Sequence, residues 1–195
     1  MLLSMAFLFS PSLSLQALVK PSGATIAAAA ADTLCKYTHV RETRPNRGKI
    51  VDEINASVGN PAGSYWCMAT VYWAWQKVCS YFKVENKLPR TGRVATMLRN
   101  ANRVGSGFEV IDMKRIGASN IVARKGDIGA IKAGSAVSAD IGRDWSGHVV
   151  IITHNAGSRV ADVEGNTNRA GSRNGDRIAL KMRKKSEFIA LVRAL

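Results

Sequence analysis

Four side chains in this 195-residue sequence have the types that nucleophilic catalysis requires: Cys67, His148, Glu164 and Asn166. Cys67 follows two aromatics in SYWCMATVYWAW (64–75), a helix-forming run that holds three of the chain's four tryptophans. Gly63 ends the preceding turn and Ser64 is a good N-cap, which predicts Cys67 as the third residue of a helix. Unpaired backbone N–H groups and the positive end of the helix dipole stabilise a thiolate there. Cys79 falls at the opposite end of the same run, where the dipole disfavours an anion. The competing reading makes Cys67 a small apolar residue in an aromatic core. Free cysteine is among the most buried residue types, and Trp66, Val71, Trp73 and Trp75 are its neighbours, so position alone favours the core. A base is needed to tip the balance.

Of three histidines, His39 lies in a linker-like segment, while His148 opens and His154 ends the apolar run HVVIITH. Strand alternation sets both on one face, about 20 Å apart, so they cannot serve one site. A three-residue hairpin loop at 155–157 pairs position 154 with 158 and sets His148 opposite Glu164. A carboxylate beside an imidazole fixes its tautomer and raises its basicity, the orienting role of a triad's third member. Asn166 shares the face of Glu164 and offers its amide oxygen for the same task. A two-residue loop instead puts Gly165 opposite His148 and turns Glu164 away; a satisfied structural histidine is then the simpler reading. His154 is expected at the turn, in solvent.

These residues must be positioned by elements of two kinds. Ile50, Ile54 and Val58 form an amphipathic stripe over 48–60, a second helix is predicted over 65–82 and a third over 91–102, with 105–126 read as loop. Short β-branched segments follow at 127–133, 148–154, 159–164, 177–184 and 187–193, separated by Gly, Asn and Ser. Helices first and strands after predict an α+β fold with N-terminal helices packed on a C-terminal antiparallel sheet. The run VVII is apolar on both faces and should be central in that sheet. Residues 1–45 are expected to be a signal-like or disordered segment and linker, and 46–195 the compact domain. The first 19 residues carry no charge, but Pro11 interrupts them and they are too short to span a bilayer. They fit a signal-peptide core cleaved after Ala17 but lack its basic start, so a mis-set start or a disordered leader remain alternatives.

Composition bounds the function less tightly. At 46% hydrophobic and 22% charged the chain is ordinary for a globular protein, yet 28 basic against 14 acidic residues give a net charge of +14 and a pI near 10.2. An anionic partner is implied, whether nucleic acid, an acidic membrane surface or a wall polymer. The basic residues are densest over 169–185, either a solvated rim or a docking patch. Three cysteines do not describe a disulfide framework, no CxxC pair suggests zinc, and Cys67 and Cys79 on one helix stand about 18 Å apart. Nucleotide fingerprints are absent. A basic nucleic-acid-binding module with a core Cys67 is the alternative from another class, although the aromatics gather around the cysteine instead of interleaving with Lys and Arg.

Four segments in order, NRGKIVDEINASVGNPAGSYWCMATVYW, KGDIGAI, SGHVVIITHN and VADVEGNTN, resemble the CHAP domain, the cysteine, histidine-dependent amidohydrolase/peptidase branch of the papain-like peptidoglycan hydrolases. The likeness covers 46–195. It implies a papain-like fold in which Cys67 attacks an amide carbonyl, His148 is the general base and then protonates the leaving amine, and Glu164 orients His148. Asn166 shares that orienting role or helps hold the site, and Asp127 of the Gly-Asp turn is structural. The backbone N–H of Cys67 is expected to contribute to an oxyanion hole, and Tyr65, Trp66 and Trp145 to contact substrate. No acidic calcium loop precedes the cysteine, so neither metal nor cofactor is expected. The implied substrate is bacterial peptidoglycan, met outside the cytoplasm by a secreted or periplasmic monomer, with anionic wall polymers or lipopolysaccharide as partners of the basic face. A papain-like protease or acyltransferase acting on another substrate is the third reading.

Overall fold

The computed structural model describes residues 20–132, 146–168 and 175–195. It begins where a linker was expected. Gly23–Cys35 is a helix, α1, whose N-cap Ser22 accepts from Thr25 N at 3.1 Å. Ile26, Ala27, Ala30, Ala31 and Leu34 are buried, a helical stripe built mostly from alanine. Alanine occupies the other faces too, so hydropathy contrast hides the stripe, while alanine's helix propensity alone favours the element. The linker reading of this stretch is therefore corrected: α1 belongs to the main core and packs on α3.

α2 (Lys49–Ser57) and α4 (Val94–Ala101) form within the predicted windows; α2 buries Val51 and Ile54, with Ile50 and Val58 of the expected stripe only partly buried, and α4 buries Val94, Ala95, Met97, Leu98 and Ala101. α3 (Cys67–Phe82) is the central helix, with eleven buried residues from Cys67 to Cys79. It starts two residues later than its sequence suggests. The N-cap is Trp66, not Ser64, so Cys67 is the first helical residue and no side chain caps the end. Lys83 closes α3 in the left-handed region at φ 54°.

The segment read as loop over 105–126 contains β1 (Phe108–Asp112) and the short α5 (Met113–Ile116). β2 (Ile128–Lys132), β3 (Gly147–Ala156), β4 (Arg159–Thr167), β5 (Arg177–Lys184) and β6 (Ala190–Ala194) follow. Together the six form one antiparallel sheet in the order β1-β6-β2-β3-β4-β5. The fold is thus α+β, with the first four helices preceding the sheet in the chain. As the VVII run predicts, β3 is interior and apolar on both sides. Val149 and Ile151 join the main helix-covered core, while Val150 and Ile152 join a second cluster with Phe188 and Leu191.

The Gly-Asp turn before β2 is a structural joint. Gly126 has φ +92°, and a Cβ there would lie 2.4 Å from the carbonyl carbon of Ala27, so only glycine lets the turn close on α1. Asp127 Oδ2 accepts from Arg124 N at 2.8 Å, and Arg193 grips both carboxylate oxygens, with Nε at 3.0 Å and Nη2 at 2.7 Å.

Candidate functional site

α3, β3 and β4 each supply one member of a buried constellation. Cys67, 7% exposed, stands at the N-terminus of α3, where the first backbone N–H groups of a helix have no intrahelical partner. Trp66 O accepts from both Thr70 N at 2.9 Å and Thr70 Oγ1 at 2.6 Å, fixing the first turn. His148 enters at the start of β3, cross-strand from Ile131, and is buried. Its Nε2 lies 2.8 Å from Glu164 Oε2. Cys67 acts electrostatically on the same imidazole, while Nδ1 completes no hydrogen bond. The ring therefore engages a carboxylate at Nε2 and also feels the Cys67 thiol.

The hairpin that brings Glu164 to His148 is not the expected one. The turn is two residues, with Ala156 opposite Arg159, and a register shift between Ile152 and His154 leaves Ile151 opposite Val163. Counting on from that pair sets position 164 level with 150, so His148 and Glu164 share a face as diagonal neighbours instead of facing directly. A bulge supplies what loop length does not. β4 carries a second irregularity: Glu164 pairs with Ala179 but Thr167 with Arg177, so one extra residue is accommodated where Asn166 takes φ 58°.

Glu164 is a hub with no solvent exposure. Besides His148, Thr167 Oγ1 donates to its Oε1 at 2.6 Å, Lys181 Nζ stands 3.5 Å from Oε1, and Arg183 Nη2 donates to Oε2. Burial pushes this carboxyl up, but the His148 hydrogen bond and charge, then Arg183 and Thr167, hold it down to about 2. For His148, burial favours the neutral ring; the interaction with Cys67 and the hydrogen bond and charge of Glu164 outweigh it, raising the imidazole to about 9. Asp162, two residues before Glu164, is driven the other way. Burial and the Glu164 charge push it up to about 7, against the pull of Arg183, His148 and Lys181.

The structure thus gathers Cys67, His148 and Glu164. Asn166 lies on the same strand, fully buried, with neither amide atom hydrogen-bonded. Tyr65, two residues before Cys67, is 62% exposed. Trp66 is not: its ring is completely buried and its Nε1 donates to Glu42 Oε1 at 2.7 Å, so the substrate-contact expectation for Trp66 is corrected to a core role. Trp145 lies outside the described residues. His154 is exposed, and Cys35, Cys67 and Cys79 are all free thiols. Burial pushes the Cys79 thiol up. Among the described residues no group of three or more His, Cys, Asp and Glu side chains is arranged to hold a metal, and no helix is long and apolar enough to cross a membrane.

The residues missed from sequence are Asp162, Thr167, Lys181 and Arg183. The last two belong to the basic run expected as a rim or docking patch. On β5 they instead turn inward, with side chains only 13% and 10% exposed, toward carboxylates of β4. Lys185, also buried, donates to Ile121 O at 2.7 Å. The available signal was the alternation of Asp162 and Glu164 on one strand against Lys181 and Arg183 on the next, which reads as cross-strand ion pairing once those strands are neighbours.

No family model matches this chain, and no curated protein matches it. Among solved structures, it is similar to the crystal structure of Ly7917, with a TM-score of 0.45, 16% identity, and 86% of this chain covering 62% of that one. It is similar also to Ly7917 with the hydrolyzing product of MDP, at a TM-score of 0.44 and 15% identity, where 87% of this chain covers 63% of that one. This chain therefore spans less than two thirds of the length of either structure.

Proposed function

We propose that this protein is a cysteine-dependent amidohydrolase or peptidase of papain-like type that cleaves an amide bond in bacterial peptidoglycan. The observation that carries the reading is the imidazole of His148, hydrogen-bonded to Glu164 through Nε2 and interacting with the Cys67 thiol. The order of the four CHAP-like segments supplies the substrate class.

In this mechanism the thiol proton resides on His148, and Cys67 Sγ attacks the carbonyl carbon to give a tetrahedral oxyanion. The backbone N–H of Cys67, at the head of α3, stabilises that charge. His148 then gives its proton to the departing amine nitrogen as the C–N bond breaks, leaving a thioester. Water attacks the thioester while His148 takes up its proton; the C–S bond breaks, and a carboxylic acid and free Cys67 result. A ring held near 9 remains protonated at neutral pH, which suits the amine-expelling step. Glu164, held near 2, stays anionic throughout and fixes the ring's orientation.

The bond between N-acetylmuramic acid and L-alanine and bonds within the peptide stem or cross-bridge suit the same three residues. Action in the wall entails a secreted or periplasmic location, and the net charge of +14 suits anionic wall polymers or lipopolysaccharide as secondary partners. The test is digestion of purified sacculi by the protein and by Cys67→Ala, with the released termini identified. New amino and carboxyl termini from the wild type alone are expected; equal release by both proteins rejects the mechanism.

A further inference from the structure

Arg183 matches no motif, yet its guanidinium is the most heavily engaged cation near the site. From β5 it reaches three carboxylates. Nη2 donates to Glu164 Oε2, the same oxygen that bonds His148 Nε2. Nε stands 3.2 Å from Asp162 Oδ2, and Nη1 stands 3.7 Å from Glu187 Oε2. Asp162 is fully buried, and neither of its oxygens, nor Arg183 Nε, completes a hydrogen bond. Asp162 and Glu164 thus flank one guanidinium from the same strand.

We propose that Arg183 is a positioning residue for the Cys67, His148 and Glu164 site: it fixes Glu164 Oε2 against His148 Nε2, and Asp162 steadies the guanidinium from its other edge. The proposal rests on the catalytic reading above and adds to it a residue that touches neither substrate nor nucleophile. Thr167 and Lys181 hold Oε1 alone, which leaves the carboxylate free to swing about that end. A grip on Oε2 as well removes the freedom. A planar fork can engage Glu164 and Asp162 at once, as the point charge of a lysine cannot.

The charged and titratable groups facing His148 are Cys67 from α3, Glu164 and Asp162 from β4, and Arg183 and Lys181 from β5. They separate a positioning role from simple charge balance by sign. If Arg183 only offsets the charge of Glu164, removing it exposes the imidazole to a stronger negative field and raises the His148 titration. If Arg183 holds Glu164 in place, removing it lets the carboxylate leave, the ring loses the hydrogen bond and charge of Glu164, and the titration falls.

The experiment is an NMR titration of the His148 imidazole in the full-length protein, in Arg183→Gln and in Arg183→Lys, with circular dichroism for folding and kcat and KM measured on sacculi. A midpoint lower by about one pH unit or more is expected in Arg183→Gln, with a smaller drop in Arg183→Lys. kcat should fall about tenfold or more with KM nearly unchanged. An unchanged or raised midpoint in folded Arg183→Gln overturns the proposal. Should that variant fail to fold, Arg183→Lys is judged by the same sign. A wild type that cleaves no sacculi, but whose His148 midpoint falls on losing Arg183, defeats the hydrolase reading and upholds the positioning of Glu164.

Discussion

A Cβ built on Gly165 would lie 2.3 Å from Thr70 Oγ1 and 2.9 Å from both Thr70 Cβ and Cγ2. Thr70 is three residues after Cys67 and Gly165 is the residue after Glu164, so this contact sets how closely the strand bearing the carboxylate approaches the helix bearing the thiol. Thr70 cannot easily retreat, because its hydroxyl is committed to Trp66 O at 2.6 Å in the first turn of α3. The glycine between Glu164 and Asn166 thus has a packing reason independent of backbone conformation.

Gly165→Ala is therefore expected to destabilise the fold by about 1–3 kcal/mol, the usual cost of forcing extra volume into a packed interior. Combining it with Thr70→Ala removes two of the three clashing atoms and should recover part of the loss. Urea unfolding of the two single variants and the double variant tests this; strictly additive losses would exclude the contact as the cause.

The pH dependence of stability follows from three buried groups. His148 is raised from 6.5 to about 9, so its proton is held by the folded chain where the unfolded chain has lost it, and its contribution is full below 6.5 and gone as pH rises through 9. Asp162, raised from 3.8 to about 7, acts in the same sense over its own window. Glu164, lowered from 4.5 to about 2, contributes above 4.5 and is lost as pH falls through 2. Stability should peak on the acid side of neutrality and decline in two stages. In urea titrations across pH, Asp162→Asn should flatten the stage between 3.8 and 7 and His148→Gln the later one; an undiminished slope in Asp162→Asn would refute the assignment.

The two tryptophan-side aromatics offer a sharper division. Tyr65 is exposed and bonds to nothing among the described residues, whereas Trp66 is sealed in the core with its N–H on Glu42. Tyr65→Ala should leave the melting temperature nearly unchanged and raise KM on sacculi. Trp66→Phe should cost about 1 kcal/mol from the lost hydrogen bond, with KM unaffected in the folded fraction. Reversal of the two phenotypes would restore Trp66 as a substrate contact.

What the sequence discloses here follows from which signals are local. The helix behind Cys67 and the central VVII strand announce themselves by period and apolar run, and both form, the helix starting two residues later than expected. The juxtaposition of His148 and Glu164 was legible as residue types but not as register, because a bulge near Ile152 depends on how the hairpin packs and not on its turn residues. α1 escaped because an alanine stripe has no polar contrast. Arg183 and Lys181 escaped for the opposite reason: a run of basic residues looks solvated until the neighbouring strand is known to carry carboxylates at matching positions.

Glu164→Gln probes the hub itself. The amide keeps the shape and can still accept from Thr167, but it removes the anion shared by His148 and Arg183. His148 then keeps only Cys67 against burial, so its titration should drop, and loss of the orienting carboxylate should lower kcat on sacculi by about 10²–10⁴. Arg183 loses Glu164 but keeps Asp162 and the more distant Glu187, so the weakened pairing should cost about 1–3 kcal/mol, less than a fully stranded charge. Arg183→Met alone should cost a comparable amount, since Glu164 and Asp162 both lose the guanidinium while Glu164 keeps His148, Thr167 and Lys181. In the double variant neither member of the pair is left without the other, so its loss should be well below the sum of the singles, while activity stays as low as in Glu164→Gln. A urea-denaturation cycle measures that coupling; additive losses would mean that Glu164 and Arg183 do not act on one another, and the account of the site given by their shared hydrogen bond would fail.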